Sequence, residues 1–432
     1  MAYIWLGLLL VEEITFLVWS IFTKSTHKYE KGICNISIAL LFLLSVLTGL
    51  TQWGFQYISF GIFLLVKVVF SVVTLIKKKE GTYKTKKAVF HMINNVTTVL
   101  VVLVSAFVFP SYKPIENMGA FEVNKTTITW VDESRLETYL DDGSYRSLST
   151  EFYYPDDASQ TYPLVVFSHG AFGYSGSNYS TFITLASHGY VVASVGHTFQ
   201  AFFSKDDAGN VAIVDQDFLN QAIVINGATN TENDQGIYET TSVWMDLRTS
   251  DLNFVINTII EKSNDATTSD LFDLVDVTQI GLFGHSLGGA ASAEMGRIRD
   301  DVDAVIVLDG TMLGEEIGFE DGHVTLNNTA YPVPLLNVYA QDHYDNAKMF
   351  VGDNYNNFVA TANAVDAYEA VFMKAGHLNF TDLPLFSPLL SQLLGVGLVD
   401  ERYCIEQMNE LVLNYFDYFL KDAATLNIKT EY

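Results

Sequence analysis

Four apolar stretches open the chain, at roughly residues 2–22, 33–50, 55–76 and 88–109. Each approaches the ~20 residues that a helix needs to cross a bilayer core. The first lacks a basic start and a small-residue cleavage site, and three more spans follow, so it reads as a span rather than a removed signal peptide. From residue 111 the pattern changes. Residues 126–131 (TTITWV) and 148–154 (LSTEFYY) alternate as strands, with Asp141-Asp142-Gly143 as the turn between them. Residues 162–168 (YPLVVFS) form a buried strand, 181–188 a helix closed by Gly189, and 190–195 (YVVASV) the next buried strand. Strand, helix, strand at this spacing is a βαβ unit and implies a parallel sheet. Helical periodicity returns over 243–260 and 403–420, and short strands are expected at 304–308, 334–339 and 371–373. Residues 199–240 hold no clean period. They form either a cap over the C-terminal edge of the sheet or a plain surface loop.

Charge divides the chain at the same place. Up to Pro110 there are ten Lys/Arg against four Asp/Glu; beyond it, 14 against 46. So acidic a second part repels nucleic acid and anionic surfaces. Lysines cluster in the connectors 23–32 and 77–87, and positive loops stay inside. Both connectors are therefore expected on the cytoplasmic side, with the N-terminus and everything after Pro110 outside. Glu12, Glu13 and Lys67 fall deep within spans, where an ion pair is the expected arrangement; His91, Asn94 and Asn95 read as interhelical hydrogen-bonders. Cys34 and Cys404 lie in different parts of the chain and predict no disulfide.

The chemistry centres on 277–296, VTQIGLFGHSLGGAASAEMG. An apolar strand, the G-x-S-x-G of Gly284–Gly288 and a helical pattern rich in small residues follow one another, the context of a nucleophile elbow. Ser286 is the nucleophile, and the following helix points its positive N-terminus at the developing oxyanion. Serine needs a base, and the base needs an orienting acid. His377, in a loop after the last strand, takes the base role; His285 sits inside the elbow, His169 in the HG turn, and His197, His323 and His343 at a strand end or in loops. Two acids compete: Asp309 directly after strand 304–308, and Asp342 after the next strand. The oxyanion donors expected in this architecture are the amide of Leu287 and one from the loop after the third strand, best placed at Ala171. No cofactor is required.

The runs PLVVFSHG, ASHGYVVASVGH, GHSLGGA, VIVLDG and GHLNFTDLPLFSPLL resemble the platelet-activating-factor acetylhydrolase family, particularly its bacterial members. The resemblance covers roughly residue 118 to the C-terminus and leaves the four spans outside it. It implies an α/β-hydrolase fold with Ser286, Asp309 and His377 as triad and Ala171 and Leu287 as oxyanion donors, and it favours Asp309 over Asp342. Short or oxidised acyl esters, including those on phospholipids, are the implied substrates. The expected organisation is a four-helix transmembrane domain, 1–110, followed by an α/β-hydrolase domain, 111–432, with 199–240 as the cap candidate. The expected protein is a membrane-anchored serine esterase acting on small-molecule or lipid esters. Rivals are a general carboxylesterase or polyester-type hydrolase, and a transporter or sensor with a degenerate hydrolase domain.

Overall fold

A computed structural model describes residues 1–77, 82–116, 119–227, 234–265 and 270–432. The chain divides into two compact units, one of residues 1–113 with 384–393, the other of 114–383 with 394–432.

The first unit contains helices α1 (Ala2–Thr23), α2 (Lys28–Leu47), α3 (Ile58–Lys77) and α4 (Thr85–Val108). All four are long and apolar enough to cross a membrane. Helix α2 starts five residues before the apolar run because Lys28-Tyr29-Glu30-Lys31 continues the turn, so Lys31 is not in a loop. Its ammonium reaches Glu13 at 2.6 Å, while Lys67 lies 3.3 Å from Glu12 and 3.6 Å from Glu13. Asn95 completes the cluster by donating to Glu13 at 2.9 Å. Two lysines therefore balance two glutamates, where the sequence pointed to Lys67 alone. Residues 384–393 join this unit: Phe386 stacks on Phe109 and Ser387 Oγ donates to the Val108 carbonyl at 2.7 Å.

The second unit is built on an eight-stranded sheet. Its strands are β1 (Val123–Leu136), β2 (Tyr145–Pro155), β3 (Tyr162–Ser168), β4 (Val191–Gly196), β7 (Val275–His285), β8 (Ala304–Leu308), β11 (Leu335–Ala340) and β12 (Ala367–Phe372), in the order β1-β2-β4-β3-β7-β8-β11-β12. From β4 onward in that order neighbours pair in parallel, and β2 alone runs against its neighbours. Every residue of β3, β4, β8 and β11 is buried, as strands covered on both faces must be. The covering helices include α5 (Tyr179–Ser187), α7 (Gln235–Ser263), α8 (Leu287–Ile298) and α13 (Glu401–Leu420), with α10 (Asn356–Asn363) near the far edge. Two hairpins, β5 (Phe203–Lys205) with β6 (Val211–Ile213) and β9 (Glu316–Glu320) with β10 (His323–Leu326), lie outside the main sheet.

Most expected elements occur, with longer ends. Region 199–240 contains the β5–β6 hairpin, helix α6 (Gln216–Asn226) and the first turns of α7, whereas residues 228–233 lie outside the described residues. The segment carrying Asp342 and His343 is not a loop but helix α9 (Gln341–Phe350). Short helices α11 (Leu383–Phe386) and α12 (Pro388–Leu394) follow the His377 turn.

Candidate active site

At the carboxyl end of β7 the chain turns sharply through Ser286, which holds φ 55° and ψ −126° before α8 begins at Leu287. A positive φ costs a non-glycine residue of the order of 1–3 kcal/mol, and such strain concentrates where a side chain must be displayed. Glycine neighbours make the turn feasible. A Cβ on Gly284 would collide with the Gly288 carbonyl, and one on Gly288 with the Ser168 carbonyl. The turn therefore packs directly on the end of β3, and the α8 N-terminus aims its unpaired amides, Leu287 first, at the space beside the serine.

Asp309 ends β8 one strand away and also holds a positive φ, 51°. Its carboxylate is buried and fully engaged. Oδ2 meets His377 Nδ1 at 2.7 Å; Oδ1 accepts from the Ala340 amide at 2.6 Å and meets His343 Nδ1 at 2.9 Å. Burial alone would raise its pKa, but the two imidazoles outweigh that and hold it well below the usual carboxylate range. His377 opens a 3₁₀ turn, His377–Phe380, after β12. Asn379 pins that turn by accepting from the Gly376 and Gly397 amides at 2.8 Å each. Nδ1 is committed to Asp309, and the ring is 45% exposed. No hydrogen bond joins Ser286 Oγ to His377 among the described residues; such bonds often tighten only in the substrate complex. The structure thus joins two of the three expected triad members directly, and the residue before the third, His285, has its ring 4.5 Å from that of His377. Asp342, the rival acid, is exposed and accepts from the His343 amide at 2.8 Å. It makes no contact with His377.

The turn after β3 lies against the serine. A Cβ on Gly170 would stand 3.0 Å from both Ser286 Cβ and His285 Nδ1, which brings the adjacent Ala171 to the same edge. The turn is closed by Gly173 N–H donating to Gly170 O at 3.0 Å, with Phe172 at φ 62°. Beneath it, Arg248 donates to the His169 carbonyl and to Gln200. His169 is a neutral imidazole: Nδ1 donates to Gly170 O at 2.7 Å and Nε2 accepts from the His197 amide at 3.2 Å. Burial, assisted by Arg248, pushes its pKa well down. His285 is held neutral too, at about 3, by burial and then by the nearby His377. Its Nε2 donates to the His377 carbonyl at 3.0 Å and so braces the His377 turn.

Sequence reasoning missed a second Asp–His–Ser array. His197 Nδ1 donates to Asp251 Oδ2 at 3.0 Å, and its Nε2 accepts from Ser168 at 2.9 Å. Arg146 grips Asp251 through two bonds, at 3.1 and 2.7 Å, and reaches Glu137 at 2.9 Å; Arg135 adds a contact to Asp251 at 3.0 Å. All three members of this array are buried. The only sequence cue was Arg146, Asp251 and His197 standing at polar positions of elements that otherwise pack the core.

The β5–β6 hairpin rests on the β3 turn. Phe202 N–H donates to Gly173 O at 2.8 Å, Tyr174 stacks on Phe203 with centroids 5.0 Å apart, and Phe172 meets Phe218 of α6 at 6.3 Å.

Comparison with known proteins agrees with this architecture. Among solved structures, a ferulic acid esterase from Streptomyces cinnamoneus superposes with a TM-score of 0.55 at 20% identity, covering 73% of this chain and 95% of that one. A likeness at that identity speaks for the fold. No curated protein matches. The model of the family described as platelet-activating factor acetylhydrolase, isoform II, matches residues 146–429, a span that includes Ser286, Asp309, His377 and both oxyanion candidates. It begins within β2, later than the sequence resemblance suggested, and covers well over half of the chain. On that match, the chain belongs to the platelet-activating factor acetylhydrolase, isoform II, family.

Proposed function

We propose that this chain is a membrane-anchored serine esterase that cleaves carboxylic esters through an acyl-enzyme on Ser286. The observation that carries the reading is the 2.7 Å bond from His377 Nδ1 to the buried Asp309 carboxylate, beside a strained elbow serine. In the forward step His377 Nε2 takes the Ser286 proton as Oγ attacks the ester carbonyl. The oxyanion forms against the amides of Leu287 and Ala171. Collapse of the tetrahedral intermediate expels the alcohol, which takes its proton from His377. Water, deprotonated by the same imidazole, attacks the acyl carbon. Collapse of that intermediate breaks the Oγ–C bond, returns the proton from His377 to Ser286 Oγ and releases the acid. Asp309 stays ionised throughout and stabilises the imidazolium.

Short-acyl phospholipid esters are the proposed substrates, supported by family membership and by four helices that would tether the chain to a membrane. Region 199–240 serves as the cap, since its hairpin is bonded to the same turn that carries Ala171. The lysine connectors are assigned to the cytoplasmic side and the hydrolase unit to the outside. Protease added to intact cells should digest the latter and spare residues 77–87; protection of the hydrolase unit would reverse the orientation. The substrate class is tested by release of acetate from a short-chain phospholipid ester, set against a nitrophenyl ester of the same acid. Turnover of the nitrophenyl ester alone would favour a general carboxylesterase.

A further inference from the structure

Asp309 is shared. Its two oxygens face two histidines, His377 from the turn after β12 and His343 from the first turn of α9, at 2.7 and 2.9 Å. The serine mechanism uses only the first. His343 does not end at the carboxylate: its Nε2 lies 2.7 Å from the Tyr355 hydroxyl, which lies 2.9 Å from Thr311 Oγ1. Tyr355 is buried and Asp309 nearly inaccessible. The chain Thr311–Tyr355–His343–Asp309–His377 therefore runs unbroken from the interior to the reactive imidazole.

The proton inventory of that chain is informative. An ionised Asp309 accepts only, so both imidazoles present Nδ1–H to it. With His343 neutral, Nε2 accepts from the Tyr355 hydroxyl, whose oxygen accepts from Thr311. With His343 protonated, Nε2–H donates to the Tyr355 oxygen, and the tyrosine hydroxyl turns to donate to Thr311. Both states leave every member bonded, because two hydroxyls rotate together and no heavy atom has to move. The other groups facing His343 are Asp342, its neighbour on α9, whose charge also favours protonation, and the ring of Tyr339 on β11 at 6.1 Å between centroids. Glu316 acts on the tyrosine at longer range.

We infer that His343 is a positioning residue whose protonation tunes the esterase: neutral, it orients Asp309 toward His377; charged, it competes with His377 for the same carboxylate. A charge on His343 cancels the field that Asp309 applies to the His377 imidazolium, which is the species formed as Ser286 attacks. Acylation therefore slows below the pH at which His343 gains its proton. Burial opposes that proton, but Asp309 outweighs burial and raises the His343 pKa above the ordinary histidine value. The carboxylate thus draws the switch toward neutral pH.

The inference rests on the serine-esterase reading, and the test separates the two. The full chain in detergent is treated with a fluorophosphonate probe across the acid range, as wild type, His343→Gln and His343→Phe. Glutamine keeps a donor for Asp309 without a titrating charge; phenylalanine removes both. The expected wild-type acid limb needs two ionisations, and the His343→Gln limb needs one. The plateau rate of His343→Phe should fall about tenfold, the order of one hydrogen bond to a charged group, with glutamine restoring most of it. Superimposable limbs in wild type and His343→Gln, or an unchanged plateau in His343→Phe, would overturn the inference. Absence of Ser286 acylation at every pH would instead overturn the esterase reading. The shared carboxylate is then read without any ester, from imidazole nitrogen shifts of the same samples. The His377 signal should carry an inflection where His343 titrates and lose it in His343→Gln; a wild-type His377 signal with no such inflection would dismiss the coupling.

Discussion

Two Asp–His–Ser arrays are built around the strand ends of one sheet, and the better hydrogen-bonded one is not the site assigned to catalysis. Asp251–His197–Ser168 is complete, with bonds of 3.0 and 2.9 Å. Asp309–His377–Ser286 has a bond only on its acid side, at 2.7 Å. What separates them is everything around the three residues. Ser168 sits in the regular backbone of β3 and is fully buried, so no ester reaches it. Ser286 is held at a positive φ at the head of a helix, with the Gly170 turn against it. Charge differs as well. Asp251 is neutralised by Arg146 and Arg135 and has little field left for an imidazolium. Burial, with Arg248 second, holds His197 neutral at about 3, which rules it out as a base that must carry a proton in each turnover. On the proposed reading, the same three residue types make a strut in one place and a reaction centre in another, and access, backbone strain and uncompensated charge distinguish the two.

The largest expected contrast is between the two aspartates. Asp309→Asn should lower turnover by about 10⁴-fold, through loss of the imidazole tautomer and of the charge, with a melting temperature close to wild type. Asp251→Asn should do the opposite. It leaves Arg146 buried with one carboxylate fewer and should cost roughly 3–5 kcal/mol, while ester hydrolysis per folded molecule persists. Equal losses of turnover in both variants would erase the distinction, and melting curves with active-site titration would show it.

Acid should loosen the buried array. His197 takes no proton in the folded state until about pH 3, whereas the unfolded chain takes it near the ordinary 6.5. The unfolded state therefore binds more protons between those values, and folding stability falls as pH drops through that window. His169 and His285 act in the same direction. Asp251, held below the ordinary carboxylate value by Arg146 and His197 against the pull of burial, adds its share only below about pH 3.8. Glu294 and Asp382, whose carboxyls burial raises to about 7 and about 6, oppose this trend. Melting from pH 7 to pH 3 is therefore compared with His197→Asn, whose curve should fall less; parallel curves would mean His197 is charged in the fold. The smallest expected effect belongs to Ser168→Ala. It removes one neutral hydrogen bond and should cost about 1 kcal/mol with hydrolysis retained.

The primary structure showed the sheet, the elbow and the four spans clearly, because each rests on local pattern. Strand 162–168 occurs with its expected ends, and GHSLGG needs glycine wherever a Cβ would strike backbone. Ser286, Asp309 and His377 follow from chain order and resemblance. What stayed hidden is long-range. Nothing in the spacing of Asp251, His197 and Ser168 announces that β3, β4 and α7 bring them together. The polar run Gln341-Asp342-His343-Tyr344-Asp345 has the look of a loop, yet it forms the first turns of a helix that brings one imidazole onto Asp309. Lys31 was likewise counted with a connector, since the helix that carries it inward starts before the apolar run.

The central claim is that Ser286, and not the fully bonded Ser168, is the nucleophile. The most direct measurement is fluorophosphonate labelling of the full chain in detergent, followed by identification of the modified residue in wild type, Ser286→Ala and Ser168→Ala. The account predicts one adduct, on Ser286, retained in Ser168→Ala and absent from Ser286→Ala. An adduct on Ser168, or labelling that survives Ser286→Ala, would contradict it.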